Sequence, residues 1–501
     1  MLQREFPKLA TVPELNDEWY VTWAGNAQSG EGAHDLAIDS SGDIYVAGYT
    51  FSYSAGHADL GLVKFDKNGD IIWNTTFGYL EQDRARAVAI DSDDNVYIAG
   101  FTDTIMGFEK DHDFCVVKYY KNGTQAWNST WGSSLSEEGY DMVIDSLDNI
   151  YIAGFRYVEP NDFCFVKYNK SGNVQLSGVR ASPGWDQCYG IALDSAGNIY
   201  LAGDKYGGGS FGYDMYLVKY NSSGNFQWER IWGGIGYESA KAIAVDNSDN
   251  IYLAGVTTTF SEAKDDICLV KYNSSGTQIW NATWGGDEEE SCSDITLDSS
   301  GNIFLVGKSD IDANEYSSVT IAKFNNLGEI QWYDTWEDGW SNDIQGIALD
   351  ISGNVFIAND FGGMTLVKFS SAPKIEIESP TTNKKCGKIA PNYTLSISEP
   401  NLDETWYTLD EGVTNITFTG LTGQINQAEW DKFSNGTTIN MIFYAKDTFD
   451  NIGFANVAVI KEITSGGRGT PFIPGYYIFI IIGIIGIISI TLARRLKINE
   501  I

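Results

Sequence analysis

Carboxylates are the most plentiful chemistry in this 501-residue chain, with 67 Asp and Glu against 33 Lys and Arg and a formal charge of −34. Two runs set them side by side, Glu137-Glu138 and Asp287-Glu288-Glu289-Glu290. Carboxylates grouped in this way hold a hard cation, calcium first, through their oxygens, or serve in pairs as acid and base in glycoside cleavage. Asp91-Ser92-Asp93-Asp94-Asn95 opens like a calcium loop but lacks Gly at its sixth position and has Thr102 at its twelfth, so it reads as a hairpin turn. Gly208-Gly209-Ser210-Phe211-Gly212 fits the G-x-S-x-G pattern of hydrolases, yet that pattern needs a strand-to-helix elbow and here it lies between strands. Three His without HExxH or CxxC leave little room for zinc chemistry. The acidic field repels phosphate backbones and excludes nucleic acid as a partner. No cofactor is identified by these residues.

The elements that position these side chains come from a repeat. Ala-Val-Asp-Asn-Ser-Asp-Asn-Ile-Tyr-Leu-Ala-Gly at 244–255 returns along the chain, and its Asp falls at Asp39, Asp91, Asp145, Asp194, Asp246, Asp298 and Asp350. A Lys recurs in phase at Lys64, Lys118, Lys167, Lys219, Lys271, Lys323 and Lys368. A third landmark is a Trp with an aromatic four residues on, as in Trp73/Phe77, Trp127/Trp131, Trp228/Trp232, Trp280/Trp284 and Trp332/Trp336. Each period of roughly 50 residues holds four short runs rich in β-branched and aromatic residues, separated by Asn, Ser and Gly turns that accept positive φ. In the second unit these predict strands at Ala85–Asp91, Asn95–Thr102, Asp113–Tyr119 and Thr124–Thr130. Four antiparallel strands repeated seven times make an all-β fold, a seven-bladed β-propeller over 17–370. The seventh unit lacks its Trp-bearing strand, and Trp19-Tyr20-Val21-Thr22-Trp23 at the N-terminus supplies one, so the first strand is expected to close the last blade.

These in-phase landmarks resemble the seven-bladed beta-propeller repeat (SBBP) family of bacterial and archaeal surface proteins. The resemblance implies a propeller scaffold and says little about activity, since propellers host many functions.

At 373–462 the pattern changes to sandwich-like strands, which resembles the Ig-like stalk modules of surface proteins. A linker follows at 463–475, with Ser465-Gly466-Gly467-Arg468-Gly469 at its centre. Residues 476–493 run without a charge and are long enough to cross a bilayer as one helix, and Arg494, Arg495 and Lys497 in the 494–501 tail mark the cytoplasmic side. Pro474-Gly475-Tyr476 with the span and basic end resembles an archaeosortase-type sorting tail, which implies replacement of the span by a lipid anchor, although Tyr476 stands where that pattern has Phe. Met1–Asp17 shows no apolar signal segment, so the residues leave open a truncated start or tail-first insertion. The charge rule and ten Asn-x-Ser/Thr sequons favour a cell-membrane protein with its bulk outside the cell, a glycoprotein.

The repeated Trp, Asp and Lys read as structure: blade-to-blade packing for the first, an ion pair or turn cap for the others. Function is expected on the rim formed by the variable strand 2–3 connections and the strand 4–1 connections, where Glu137, Glu138, Asp287, Glu288, Glu289 and Glu290 lie. The expected activity is binding or adhesion to an extracellular protein, glycan or cation. The alternatives are a polysaccharide lyase or glycosidase using rim carboxylates, or a structural component of the envelope. Cys164 to Cys188 and Cys268 to Cys292 are each 24 residues apart, joining one blade to the opening strand of the next. These pairs are expected as disulfides, with Cys115 and Cys386 free.

Overall fold

The structure is a computed structural model that describes residues 3–4 and 16–463, apart from 25–29, 54–56, 80–81, 104–111, 183, 208–211, 262–263, 287–288, 311–316, 337–343, 361–362, 371–373, 399–401, 411–412 and 448–451. The apolar span 476–493, the basic tail, the glycine-rich linker and the sorting-tail residues lie outside the described residues. No helix among the described residues is long and apolar enough to cross a membrane.

Residues 16–370 form seven antiparallel sheets of the same plan, counted here as sheets one to seven in chain order. In sheet two the strands are Asp83–Ile90, Val96–Asp103, His112–Tyr119 and Gln125–Trp131. Sheet seven takes its fourth strand from the other end of the chain, where Asn16–Trp23 pairs antiparallel with Met364–Ser370. Sheet five carries one addition that no sequence signal announces: Gln3–Arg4 lies parallel to Asn281 and Ala282. Asn281 is buried, so its sequon is not presented to solvent. The first strand of each sheet touches the first strand of the next, and Ile344–Leu349 of sheet seven touches Glu31–Ile38 of sheet one, which closes the ring.

Alternation explains the packing. The second and third strands are buried on both faces, so each sheet gives one set of side chains to each neighbour. Seven apolar clusters result, each shared by two adjacent sheets. The outer Trp seals these seams. Trp73 donates its indole N–H to the Lys121 carbonyl of the next sheet at 3.2 Å and lies over the turn at Gly123, where a Cβ would come within 3.0 Å of the ring. Gly123 has φ +84°, so both its backbone and its neighbour require glycine.

The same alternation overturns the disulfide expectation. All six cysteines are free and buried. Cys164 packs in the cluster between sheets two and three, while its neighbours Phe163 and Phe165 pack with Cys188 in the cluster between sheets three and four. Cys164 therefore faces away from Cys188 across its own strand. Cys268 likewise faces sheet four, while Cys292 meets Ile267 and Leu269. The shared 24-residue spacing records the repeated path from a third strand to the first strand of the next sheet, and no sulfur–sulfur bond forms across it.

Residues 374–463 form two further sheets around one core. One holds Lys374–Ser379, Asn392–Ser398 and Thr422–Gln424; the other runs Lys384–Cys386, Ile452–Lys461, Thr438–Asp447, Leu402–Thr408 and Ile416–Thr417. A short helix, Gln427–Asp431, interrupts the β pattern; Asn426 caps it by accepting from Ala428 and Glu429, and its Trp430 fills the core.

Candidate functional site on the ring axis

In every sheet the pairing of the first strand with the second slips by one residue at the same place. The slips fall at Ala33/Asp35, Ala85/Ala87, Gly139/Asp141, Cys188/Gly190, Ala240/Ala242, Cys292/Asp294 and Ile344/Gly346. Each slip is a β-bulge, which turns an extra side chain out of the sheet plane. The extra residues are His34, Arg86, Tyr140, Tyr189, Lys241, Ser293 and Gln345, one per sheet, and all line a cavity of about 370 Å³ where the seven first strands meet. The bulge repeats while the side chain it presents changes, so a uniform scaffold carries a varied ring.

The cavity joins cations, rings and hydroxyls. Arg86 lies 5.1 Å over the Tyr140 ring and Lys241 lies 4.0 Å over the Tyr189 ring, while the two tyrosine rings meet edge to face at 5.6 Å. Arg86 Nη1 approaches the His34 ring at 3.4 Å. Burial, and then the charges of Arg86 and Arg84, hold His34 well below the usual histidine range, so a neutral imidazole faces the guanidinium. Arg84 sits beside it, 4.6 Å over Tyr49. Among the described residues, neither Arg86 nor Lys241 has a carboxylate within ion-pair distance, and Arg86 Nε is buried without a hydrogen-bond partner.

The acids of the cavity wall are otherwise engaged. Asp35, Asp141 and Asp294 follow the bulge in sheets one, three and six. Each accepts the N–H of its own next residue and one from the following sheet: Asp141 takes Met142 at 2.7 Å and Ile191 at 2.8 Å, and Asp294 takes Ile295 at 2.7 Å and Ile347 at 2.9 Å. Burial pushes Asp141 up to about 6 and Asp294 to about 7, against the lowering pull of those N–H groups. Asp35 is raised by burial and then by the charge of Asp294.

The acidic rim read from the sequence is not an open acidic surface. Glu137 and Glu290 are buried at the start of first strands, where each accepts a backbone N–H four residues back, from Ser133 at 3.0 Å and Gly286 at 2.8 Å. Asp83 and Glu238 do the same with Tyr79 at 2.6 Å and Gly234 at 2.8 Å. These acids therefore cap the turns entering sheets two, three, five and six. Glu138 is buried as well and pairs with His112 at 2.9 Å. Glu289 is exposed; Asp287 and Glu288 lie outside the described residues. Of the G-x-S-x-G run, Gly212 alone is described, ahead of the strand Tyr213–Tyr220.

The repeated Asp and Lys meet at the opposite end of the sheets. Asp91 accepts from the N–H of Asp93 and Asn95, from the Asn95 amide, from the Tyr97 hydroxyl at 3.1 Å and from Lys118 at 2.9 Å. Its oxygens close a hairpin and neutralise a lysine. Asp39, Asp145 and Asp194 pair with Lys64, Lys167 and Lys219 at 3.2, 3.7 and 3.3 Å. Asp246 receives Tyr252 at 2.9 Å, and Lys271 lies 4.6 Å over that ring. Asp298 and Asp350 cap their turns through Asn302 and Asn354, with Lys323 over Phe304 and Lys368 over Phe356. Among the described residues no three His, Cys, Asp or Glu side chains are grouped to hold a metal ion.

Residues 175–204 match the Beta-propeller repeat (SBBP) family. The chain matches no curated protein. It is similar to the extracellular domain of BT4673 from B. thetaiotaomicron, at 12% identity and a TM-score of 0.42, over 89% of this chain and 59% of that one. The chain thus spans about three-fifths of that relative's length. It is also similar to the beta-propeller domain of the Trilobed protease from Pyrococcus furiosus, at 12% identity and a TM-score of 0.41, over 68% of this chain and 94% of that one. A third similarity is to Sqt1 from Chaetomium thermophilum, at 9% identity and a TM-score of 0.41, over 71% of this chain and 99% of that one. The match at 175–204 runs from the last strand of sheet three into the first two strands of sheet four, so this stretch of the repeated four-stranded sheets is similar to the beta-propeller repeat (SBBP) family.

Proposed function

We propose that this protein is a binding module, a seven-bladed propeller whose ligand seat is the axial cavity rather than the loop rim. One observation carries the reading: among the described residues Arg86 stands partly buried in this cavity with no carboxylate within ion-pair distance and its Nε–H without a partner, in a chain of formal charge −34. Leaving such groups unpaired lowers stability unless a ligand completes them. A polar ring fixed on seven strands also meets the need for pre-organised contacts. In this proposal the Ig-like unit is a stalk, residues 476–493 or a lipid replacing them hold the chain at the cell membrane, and the propeller faces outward. The span and the Arg494, Arg495 and Lys497 cluster support that placement.

The lyase or glycosidase alternative needs a carboxylate free to move a proton. Asp141 and Asp294 in the cavity wall each have both oxygens on backbone N–H groups, which suits a staple better than an acid or base. The test is a glycan and small-molecule array probed with the full-length chain and with Tyr189→Ala, with each hit followed for turnover. The reading expects stoichiometric binding that weakens in the variant and no product. Turnover of a hit, or hits indifferent to the axial substitution, would overturn it.

A further inference from the structure

Resting on the binding reading, we infer the ligand class: the axial cavity takes the carboxylate of a small polyhydroxylated molecule, a sugar acid, with Arg86 and Lys241 as its cationic contacts.

The charge comes first. Arg86 presents a buried Nε–H with no acceptor among the described residues. A guanidinium has a planar fork of donors that matches a carboxylate, so one oxyanion would satisfy it in a way that a lone hydroxyl would not. His34 stands against the same guanidinium as a neutral ring, which orients it without adding a competing anion. Lys241 provides a second positive group held over Tyr189. Asp35, Asp141 and Asp294 in the wall keep their oxygens on backbone N–H groups of two sheets, while Asp204 acts on Lys241 from beyond ion-pair distance, so Arg86 is the leading cation of the pair.

The remaining wall decides what carries the carboxylate. Ser293 and Gln345 come from the bulges of sheets six and seven and line the same cavity, with Ser291 beside them. Hydroxyl and amide groups exchange hydrogen bonds in both directions, the pairing that ring hydroxyls of a sugar need. A volume of about 370 Å³ lies near the low end of small-molecule sites, ~300–1,000 Å³, which suits one sugar ring or two and excludes a folded partner. A formal charge of −34 disfavours anions over the surface in general, so a guanidinium held on the ring axis discriminates for anions small enough to enter.

The experiment is calorimetric titration of the full-length chain with four probe sets. Glucuronate and galacturonate test the proposal, their methyl esters and the neutral hexoses remove the charge, and acetate and sulfate remove the hydroxyls. We expect the uronates to bind and the esters and neutral sugars to bind at least about tenfold more weakly, the range of one hydrogen bond to a charged group. Arg86→Gln and Lys241→Gln should each weaken uronate binding by a similar factor, with Arg86→Lys intermediate. Thermal melts of each variant establish that it is folded. Neutral sugars binding as well as uronates, with Arg86→Gln inert, would overturn the carboxylate inference and leave the binding reading standing. Acetate or sulfate binding as tightly as uronates would overturn the sugar part. Failure of all probes with the folded wild-type chain would overturn the inference, while the array and Tyr189→Ala judge the binding reading separately.

Discussion

Asp35 of the first sheet accepts the backbone N–H of Val88 in the second, 53 positions away, at 2.7 Å, while its other oxygen takes the N–H of Leu36 at 2.7 Å. The bond satisfies a main-chain donor beside the bulge at Arg86, where the strand ladder is interrupted. Asp141 does this for Ile191 and Asp294 for Ile347. Three side chains thus stitch sheet one to two, three to four and six to seven at the narrowest part of the ring. Replacing any of them by Ala strands two buried N–H groups, so Asp35→Ala, Asp141→Ala and Asp294→Ala should each lower unfolding stability by about 1–3 kcal/mol. Asp93→Ala, on an exposed turn, should stay within about 0.5 kcal/mol. Chemical denaturation of the four variants measures this directly.

The same carboxylates set a pH dependence. A carboxyl whose folded pKa is raised binds a proton more readily folded than unfolded, so its ionisation opposes folding and stability falls as pH rises toward the folded pKa. For Asp141 the window runs from the unfolded value near 3.8 to about 6, and for Asp294 to about 7. The wild type minus Asp141→Ala/Asp294→Ala difference in denaturation midpoint should therefore shrink as pH rises from 5 to about 7.5. A difference that grows over that interval would contradict the buried, raised carboxyls.

The clasp makes a mechanical prediction. Trp23 is buried against the first and last sheets, and the Thr22 and Thr365 hydroxyls meet at 2.8 Å across the closing pair. Deleting residues 1–23 leaves the edge of Met364–Ser370 unpaired and uncovers that cluster. The melting temperature should fall by about 10 °C or more, at ~2–4 °C per kcal/mol for a chain unit of this size. A deletion protein that melts with the parent removes the closing role.

The sheets were legible because the repeat puts Asp39, Lys64 and the Trp landmarks in one phase, and because period-2 alternation is simple to read. The axial site was not, because a bulge adds one residue without a letter of its own. Its trace was nevertheless present: the residue after the small Ala33, Ala85, Gly139 and Ala240 slot is His34, Arg86, Tyr140 and Lys241, a fixed position with changing chemistry. Glu137 and Glu290 were misplaced by their acidic neighbours; their phase-mates Asp83 and Glu238 reveal a repeated cap. The helix at Gln427–Asp431 spans too few residues to show a helical period.

Variation among repeats supplies a further test. Tyr97 donates to Asp91 at 3.1 Å, whereas sheets six and seven hold Phe304 and Phe356 at that place, without a hydroxyl. Tyr97→Phe should cost about 0.5–1.5 kcal/mol, the usual net value of one hydrogen bond. Phe304→Tyr should move stability the other way by a smaller amount if the hydroxyl reaches Asp298. A paired set of melts decides both.

The last prediction concerns the cysteines. Burial pushes the Cys115, Cys164, Cys188, Cys268 and Cys292 thiols well above the usual range, so the reactive thiolate is scarce at neutral pH. Strand alternation also turns Cys164 toward sheet two and Cys268 toward sheet four, each away from the cysteine 24 residues later. The folded full-length chain should therefore resist an aromatic disulfide reagent at pH 7.5, and denatured chain prepared without reductant should release six thiols. Cys164→Ala should remove one buried sulfur contact and leave the melting temperature insensitive to reductant. Recovery of only two thiols, with reductant lowering the melt, would show that the two bridges form and that the strands rotate to allow them.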